Sequence, residues 1–572
     1  MTPISRRRVL TAAPLALAAC RQAQGYFGRT EPPESDRLVY LIGAEPATLD
    51  PAKSTDLWEL YIVHALFEGL TTIHPVTGEP MAGLATHYQV SADGLRYTFF
   101  LRGHPAAVGV RLPNTSDLSP EFSRGRPAPP DNRVGRWSDG VAITADDFVY
   151  SWRRAVAPET AANYAFQLFC IQCAQDVTAG KRRPDELAVR ARDAFRLEVD
   201  LREPTPFFLQ LVSNRVFCAV PRHAIEAGET DWTEPGRLVS SGAFQLQHRR
   251  GGEEIILTRN PHYYEAGTVS LGELAFLSVT DGAANVNLYK TGDAALIQTY
   301  IPSLMPFLRR KKDFRAYPSF GTVFQALNSN RSPLNDVRVR YALNMGTDKR
   351  AIAEFMGVGR KPALGLVPPV SGYVAPKNLP VDIDGVDCDV LAFNPRAARE
   401  LLVKAVGSRR LRLEFLNPNL PEAKLVPQLF QQQWRENLGI ELILVTQEVQ
   451  TWIQSIYSHD YSVAGAADYG GHLDPIWFLD SFTSQSTANT TPWTDPRYDE
   501  MLTAARSTVN PGDRLRKLAA CERHLLRAMP VLPTYGDVWV YLRKPFVRGF
   551  GMNPMDRQQF KYTWIDRNWR TA

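Results

Sequence analysis

The sequence predicts a mixed α and β protein of two or three domains, and three observations carry that expectation. Strand-like alternation of apolar and polar residues gives way repeatedly to helical periodicity along the chain. At 572 residues, the chain is too long for one ordinary hydrophobic core. Its composition, 44% hydrophobic and 22% charged with no low-complexity tract, is that of a folded chain.

The first twenty residues read as an address that is removed, not as part of the fold. Ser5-Arg6-Arg7-Arg8-Val9-Leu10 resembles a twin-arginine export signal, and the apolar run over residues 9–19 is too short to span a bilayer. Leu17-Ala18-Ala19-Cys20 resembles a lipobox, which makes Cys20 the expected lipidated first residue after cleavage; a plain signal peptide with a chance cysteine is the alternative. Beyond it, no segment has about eighteen consecutive apolar residues. The expectation is a soluble protein held by its N-terminal lipid outside the cytoplasm, in the periplasm or on the outer face of the cytoplasmic membrane. The formal charge is +5, but Arg6, Arg7 and Arg8 leave with the signal, so the remainder is near balance. That gives no support for a nucleic-acid partner.

Residues 21–37 are polar and contain Pro32-Pro33, which suits a flexible tether. Residues 38–42 alternate as a short strand, followed by Pro46-Ala47-Thr48-Leu49-Asp50-Pro51 and, later, Leu66-Phe67-Glu68-Gly69-Leu70. Ser91-Ala92-Asp93-Gly94 is a turn leading into the strand Tyr97-Thr98-Phe99-Phe100-Leu101-Arg102. Residues 103–136 include Pro113, Pro120, Pro127, Pro129 and Pro130 with Arg124, Arg126, Arg133 and Arg136. Such a composition is expected to give a coreless surface loop, a tolerated insertion rather than a docking site, because loops accept length cheaply.

The best specified stretch is residues 137–154, WSDGVAITADDFVYSWRR. It reads as a strand end, a Ser138-Asp139-Gly140 turn and a helix. Thr144 and Asp147 fit a capping box, and Asp146 and Asp147 at the start with Arg153 and Arg154 at the end agree with the helix dipole. Phe148, Val149, Trp152, Ala155 and Val156 recur on one face, and Pro158 ends the run. This is a packing unit, not a catalytic one.

The order of residues in this stretch resembles the signature segment of the family 5 extracytoplasmic solute-binding proteins, the oligopeptide- and dipeptide-binding subunits of ABC importers. The Pro46 to Pro51 and Leu66 to Leu70 words precede it in the family's order. Pro204-Thr205-Pro206-Phe207-Phe208, Ser241-Gly242-Ala243-Phe244, Leu288-Tyr289-Lys290-Thr291-Gly292-Asp293, Pro333-Leu334-Asn335-Asp336-Val337, Asp474-Pro475 and Pro530-x-x-Pro533-x-Tyr535 follow it in turn. The resemblance runs from residue 38 to the C-terminus and leaves out the signal, the tether and the insert.

The resemblance implies an α/β, two-lobed, periplasmic-binding-protein-like fold with a hinge and an additional small domain on the first lobe. Residues 38–67, 222–320 and 537–572 would form the first lobe, 68–221 the additional domain, and 321–536 the second lobe. Gly321 and Gly536 would lie near the crossing points, with hinge closure around a ligand. The implied function is the substrate-binding component of an ABC importer, a monomer that captures peptides in the interlobe cleft and delivers them to permease and ATPase subunits. The alternative is the same scaffold holding a nickel chelate, haem, an opine, an oligosaccharide or a modified peptide. A secreted hydrolase and an envelope chaperone are more distant. No HExxH, Walker A, GxGxxG or GxSxG motif is present, so neither catalysis nor a cofactor is expected. Cys170, Cys173, Cys218, Cys388 and Cys521 form no disulfide framework, and Cys170-x-x-Cys173 is expected to be packing rather than a redox or metal pair.

Holding peptides of varied sequence calls for backbone hydrogen bonding, with an acid for the terminal ammonium. In the resembled peptide binders that acid lies four residues before the proline of a G-W-x-A-D-Y-x-[DE]-P word. Here, counting back from Pro475 without a gap reaches Gly471, while a three-residue gap aligns Ala467-Asp468-Tyr469 with A-D-Y. Asp468 is the expected ammonium partner or a displaced substitute, although Asp followed by Tyr-Gly-Gly is also ordinary turn chemistry. By the same resemblance Tyr164 is a cleft tyrosine and Leu57 lies where ligand backbone pairs. Gly321 and Tyr469 stand where some relatives have two cysteines. Asp537 stands at a position usually tyrosine, where an acid favours a cationic ligand or pairs with a protein arginine.

Overall fold

The computed structural model describes residues 25–570 apart from 107, 128, 228–230 and 300. The export motif, Cys20 and residues 21–24 of the expected tether lie outside the described residues.

Two unusually long strands, Phe314–Leu327 and Val531–Arg543, organise the molecule. They pair antiparallel with each other in two stretches separated by an irregularity after Pro318. On one side of this break, Phe314 to Pro318 pair with Val538 to Leu542, and Val531–Arg543 continues through Leu296–Gln298, Arg37–Ile42, Glu273–Ser278, Glu254–Arg259 and Phe244–Arg250. On the other side, Thr322 to Ala326 pair with Val531 to Gly536, and Phe314–Leu327 continues through Val463–Tyr469, Arg412–Pro418 and Glu441–Gln447. Gly321 and Gly536 both sit at the break. Each long strand therefore belongs to both halves of the sheet.

The strands adjoining this pair are buried on both faces, which is why they read as apolar runs and not as clean alternation. In Arg37–Ile42, Leu38, Tyr40 and Ile42 enter one core, while Leu41 enters another with Val286, Tyr289, Ile297, Leu308 and Leu542. The second half of the sheet is likewise enclosed. Phe415, Phe430 and Trp434 lie in one cluster, and Phe324, Ala464, Ala466 and Phe478 in another.

A separate five-stranded antiparallel sheet runs in the order Val110–Arg111, Ala85–Val90, Arg96–Leu101, Arg196–Asp200 and Val189–Asp193. Against it lies the helix Ala145–Val156. Its Asp147 carboxylate accepts from the Thr144 backbone N–H at 2.7 Å and the Thr144 hydroxyl at 3.1 Å. Phe148, Val149, Trp152, Ala155 and Val156 are all buried, and the Trp152 indole N–H donates to the Phe217 carbonyl at 2.9 Å. At the far end of this helix Arg154 forks onto the Asp50 carboxylate at 2.6 and 3.2 Å, joining it to the Pro46–Pro51 word. Burying so many apolar side chains on one helix outweighs its modest length as a source of stability.

Two expectations need correction. From Gly25 onward the N-terminal segment is not a loose tether. The Phe27 N–H donates to both Asp313 carboxylate oxygens at 3.0 and 3.1 Å, the Arg29 N–H reaches the Lys290 carbonyl at 2.9 Å, and Arg567 and Arg570 hold Glu34, Asp36 and Glu31. Two aromatic residues, Tyr26 and Phe27, anchor it against Trp569 and Phe307.

Nor is the 103–136 insert a coreless loop. Leu112, Leu118 and Phe122 are buried, the last two with Met81 and Tyr562. Arg124 lies 4.8 Å over the Trp564 ring, and Arg126 donates to the Gly267 carbonyl at 2.8 Å. Three apolar anchors, too few to colour the composition, fasten it. Cys170 and Cys173 are free thiols, and burial pushes the Cys170 thiol up to about 12, where it is a poor nucleophile.

Candidate functional site

The strand Val463–Tyr469 presents an incompletely used edge. On one side it pairs with Gly321 through Leu327 along its whole length. On the other, only Val463 and Ala464 pair, with Phe415 and Leu416; Arg412–Pro418 then continues beside Glu441–Gln447 instead. Among the described residues no strand covers the outer edge from Gly465 to Tyr469. Backbone groups there are available for an added strand.

Asp468 stands near the end of that edge, half-buried, opposite Thr322. Its Oδ1 accepts from the Trp477 indole N–H at 3.0 Å. Burial pushes its carboxyl up to about 6, the indole and a backbone N–H opposing that rise, and among the described residues no cation contributes to the balance. Gly471, the other position counted for the acid, packs on the same tryptophan: a Cβ there would lie 2.7 Å from the Trp477 ring. Its carbonyl accepts from Arg557, whose other amine donates to the Ser213 hydroxyl at 3.0 Å. One indole therefore touches both positions between which the sequence could not choose.

Tyr469 lies across Gly321. A Cβ at 321 would come within 2.4 Å of the tyrosine ring, so glycine is required by close approach. The residue remains 40% exposed and its hydroxyl donates to Asp537 Oδ2 at 2.6 Å, with Trp539 at 5.5 Å between centroids. The other Asp537 oxygen accepts from Arg360 Nε at 2.8 Å, and Arg360 also holds Glu422. Asp537 is thus paired with a protein arginine. Arg360 is almost completely enclosed, whereas Glu422 is pushed up to about 7 by burial, with repulsion from Asp537 adding and Arg360 opposing.

Leu57 and Tyr164 come together in a second group. Leu57 begins the helix Leu57–Leu66, capped by Asp56, and the Tyr164 hydroxyl donates to the Thr55 carbonyl at 3.1 Å. Arg215, 4.7 Å above the Tyr164 ring, donates to the Thr55 and Asp56 carbonyls at 2.7 and 2.8 Å. Its charge also helps to lower Arg557, which places the two groups near one another, although burial is the larger cause of that shift.

Sequence reasoning missed Arg215, Arg360, Glu422, Trp477 and Arg557. Of these only Trp477 carried a local signal, since it lies just after Asp474-Pro475. Chemically the arrangement is suited to holding a ligand. An open strand edge can pair backbone, and a carboxylate without a cation can receive an ammonium. Among the described residues no group of three His, Cys, Asp or Glu side chains is placed to hold a metal ion.

Comparison with known proteins agrees with this architecture. The sequence profile of the bacterial extracellular solute-binding proteins, family 5, middle region, matches residues 135–490. The periplasmic murein peptide-binding protein MppA of Escherichia coli is 31% identical over 526 residues, 91% of each chain. The periplasmic oligopeptide-binding protein OppA of Salmonella typhimurium is 29% identical over 542 residues, 93% of each. Among solved structures, MppA in its unliganded open form gives a TM-score of 0.74 at 30% identity, covering 94% of this chain and 98% of its own. Haemophilus influenzae OppA in complex with RPPGFSPFR gives 0.72 at 25% identity, covering 94% and 100%. These neighbours share the mixed α and β, two-lobed architecture. This chain belongs to family 5 of the bacterial extracellular solute-binding proteins.

Proposed function

We propose that the chain is the extracytoplasmic substrate-binding component of an ABC importer and that it captures peptides between its lobes. The carrying observation is the open edge of Val463–Tyr469 with Asp468 near its end, a carboxylate bonded to an indole and, among the described residues, to no cation. Peptide backbone would add to that edge irrespective of side chains, and the terminal ammonium would seat on Asp468. The names of MppA and OppA, a murein peptide-binding and an oligopeptide-binding protein, support the same ligand class. Leu57, Tyr164, Gly321, Tyr469 and Gly471 would shape the cleft, while Asp537, committed to Arg360, would act through Tyr469 rather than touch a cationic ligand.

In this reading the protein returns its ligand chemically intact, works as a monomer with permease and ATPase subunits, and is held outside the cytoplasm by lipid on Cys20 after export through the twin-arginine-like signal. Ligand binding would favour a closed arrangement of the lobes by its differential affinity for that state.

The test is a thermal-shift titration of the chain from Arg21 with pools of two- to eight-residue peptides, their N-termini free or acetylated. A ligand at a hundred times its Kd adds about 2.7 kcal/mol to native stability, a readily measured shift. Stabilisation by free but not acetylated peptides is the expected result. Silence from every pool would sink the peptide reading and redirect the search to chelates, sugars and modified peptides.

A further inference from the structure

Where the described chain begins, the surface is strongly basic. Arg309, Arg310, Lys311 and Lys312 follow the short helix Met305–Leu308 without interruption. Arg309, Arg310 and Lys312 are exposed. The Lys312 backbone N–H donates to the Gly25 carbonyl at 3.2 Å, and its ammonium lies 6.0 Å over the Tyr26 ring. Exposed Arg29 and Lys290 adjoin the same site, since Phe27 packs on both Phe307 and Tyr289 and the Arg29 N–H is bonded to the Lys290 carbonyl. Of the acids closest along the chain, Glu31 is paired with Arg570 at 3.0 Å and Asp313 is buried and bonded to Tyr289 and Phe27, which leaves Asp293, bonded to the Thr291 hydroxyl at 2.5 Å, as one negative charge among six cations. In the middle of the cations Phe307 keeps 48% of its surface exposed, with Lys311 4.4 Å from its ring.

We propose that this face is a docking surface for an anionic phospholipid bilayer. Clustered Lys and Arg side chains gain from the negative surface potential, and an exposed aromatic ring among them favours the interface between headgroup and acyl chain. Chain length brings the two together. From Cys20 to Gly25 is five residues, a span of at most roughly 17 Å when fully extended, so a lipid on Cys20 would hold this face within reach of the membrane. The leash rests on the lipid-anchor reading, whereas the attraction of the patch does not. The docked segment then acts as a short mount that orients the protein as well as retaining it.

The probe is co-sedimentation of the chain from Arg21, which carries no lipid, with vesicles of phosphatidylcholine alone or with about a third phosphatidylglycerol. Binding is expected only to the anionic vesicles and should fall steeply between roughly 50 and 500 mM salt as charges are screened. The variant R309E/R310E should lose at least about tenfold in vesicle binding, a charge effect of the kind expected for interfacial basic residues. R396E/R399E, an equal charge reversal on the exposed face of the helix Pro395–Val406, should retain it. Equal binding to both vesicle types, or equal loss in both variants, overturns the proposal. Peptide-induced thermal shifts measured on the same variants report the ligand site separately, so failure of one reading does not read as failure of the other.

Discussion

Replacing Asp468 with asparagine isolates a single charge, because the amide keeps the shape and can still accept from the Trp477 indole. Burial pushes the carboxyl up to about 6. An ammonium seated against it would keep it ionised in the complex, so below that value binding must first expel a proton. Linkage then weakens affinity by about twofold near pH 6, tenfold near pH 5 and a hundredfold near pH 4, with the maximum near pH 7, since the peptide's own α-ammonium loses its proton near pH 8. Removing one partner of a buried charged pair costs 2–5 kcal/mol, so the asparagine variant should bind at least ~30-fold more weakly near pH 7. Its affinity should also be flat between pH 7 and pH 4. Isothermal titration calorimetry with a short free peptide and its acetylated counterpart measures both quantities. Wild-type affinity that is level from pH 7 to pH 4, or a variant within about twofold of wild type, would falsify the assignment of the ammonium to Asp468.

Three further outcomes follow from named contacts. Arg360→Met leaves Asp537 and Glu422 without the cation between them and should destabilise the fold by about 3–5 kcal/mol in urea denaturation, much of it recovered in R360M/D537N; a loss below ~1 kcal/mol would mean that the ion pairs contribute little. His472 is buried with neither ring nitrogen bonded, stacked 4.2 Å from Phe207, and burial lowers it to about 4. Below about pH 6.5 the unfolded chain takes up a proton that the folded one refuses, so stability should fall by about 3 kcal/mol from pH 6.5 to pH 4 and then level, and H472F should lack that component in denaturation curves. Gly28→Ala places a Cβ 2.1 Å from the Lys290 carbonyl at a φ of +78°, so the N-terminal segment should detach and residues 25–36 become open to limited proteolysis; unchanged protection would refute the mount.

The sequence made the helix Ala145–Val156 legible because every signal in it is local: cap, dipole charges, apolar face and stop lie within twenty residues. Word order extended that to the family and its architecture. The insert and the N-terminal segment were misread because composition averages hide sparse anchors. Leu112, Leu118 and Phe122 are few among prolines and arginines, yet each is buried, and Tyr26 and Phe27 suffice to fasten an otherwise polar stretch. Arg360 left no trace because its partner Asp537 is 177 residues away.

The two acids that sequence reasoning brought to the site show what a one-dimensional reading lacks. Asp468 lies near the end of Val463–Tyr469 and Asp537 beside the break in the middle of Val531–Arg543, and either could have been the ligand's counter-charge. What separates them is whether the protein supplies a cation. Asp537 has Arg360 at 2.8 Å and a tyrosine hydroxyl on its other oxygen, so little of its charge is left for a guest. Among the described residues Asp468 is met by an indole N–H and a backbone N–H and by no cation, and burial raises its pKa. A half-buried carboxylate in that condition gains most from an arriving ammonium, since the partner removes a cost already present in the empty protein. The ambiguity between Gly471 and Asp468 has the same root. Register counting assigns a function to a backbone position, whereas Trp477 spans both, so an acid displaced by three residues can still meet a ligand on that ring.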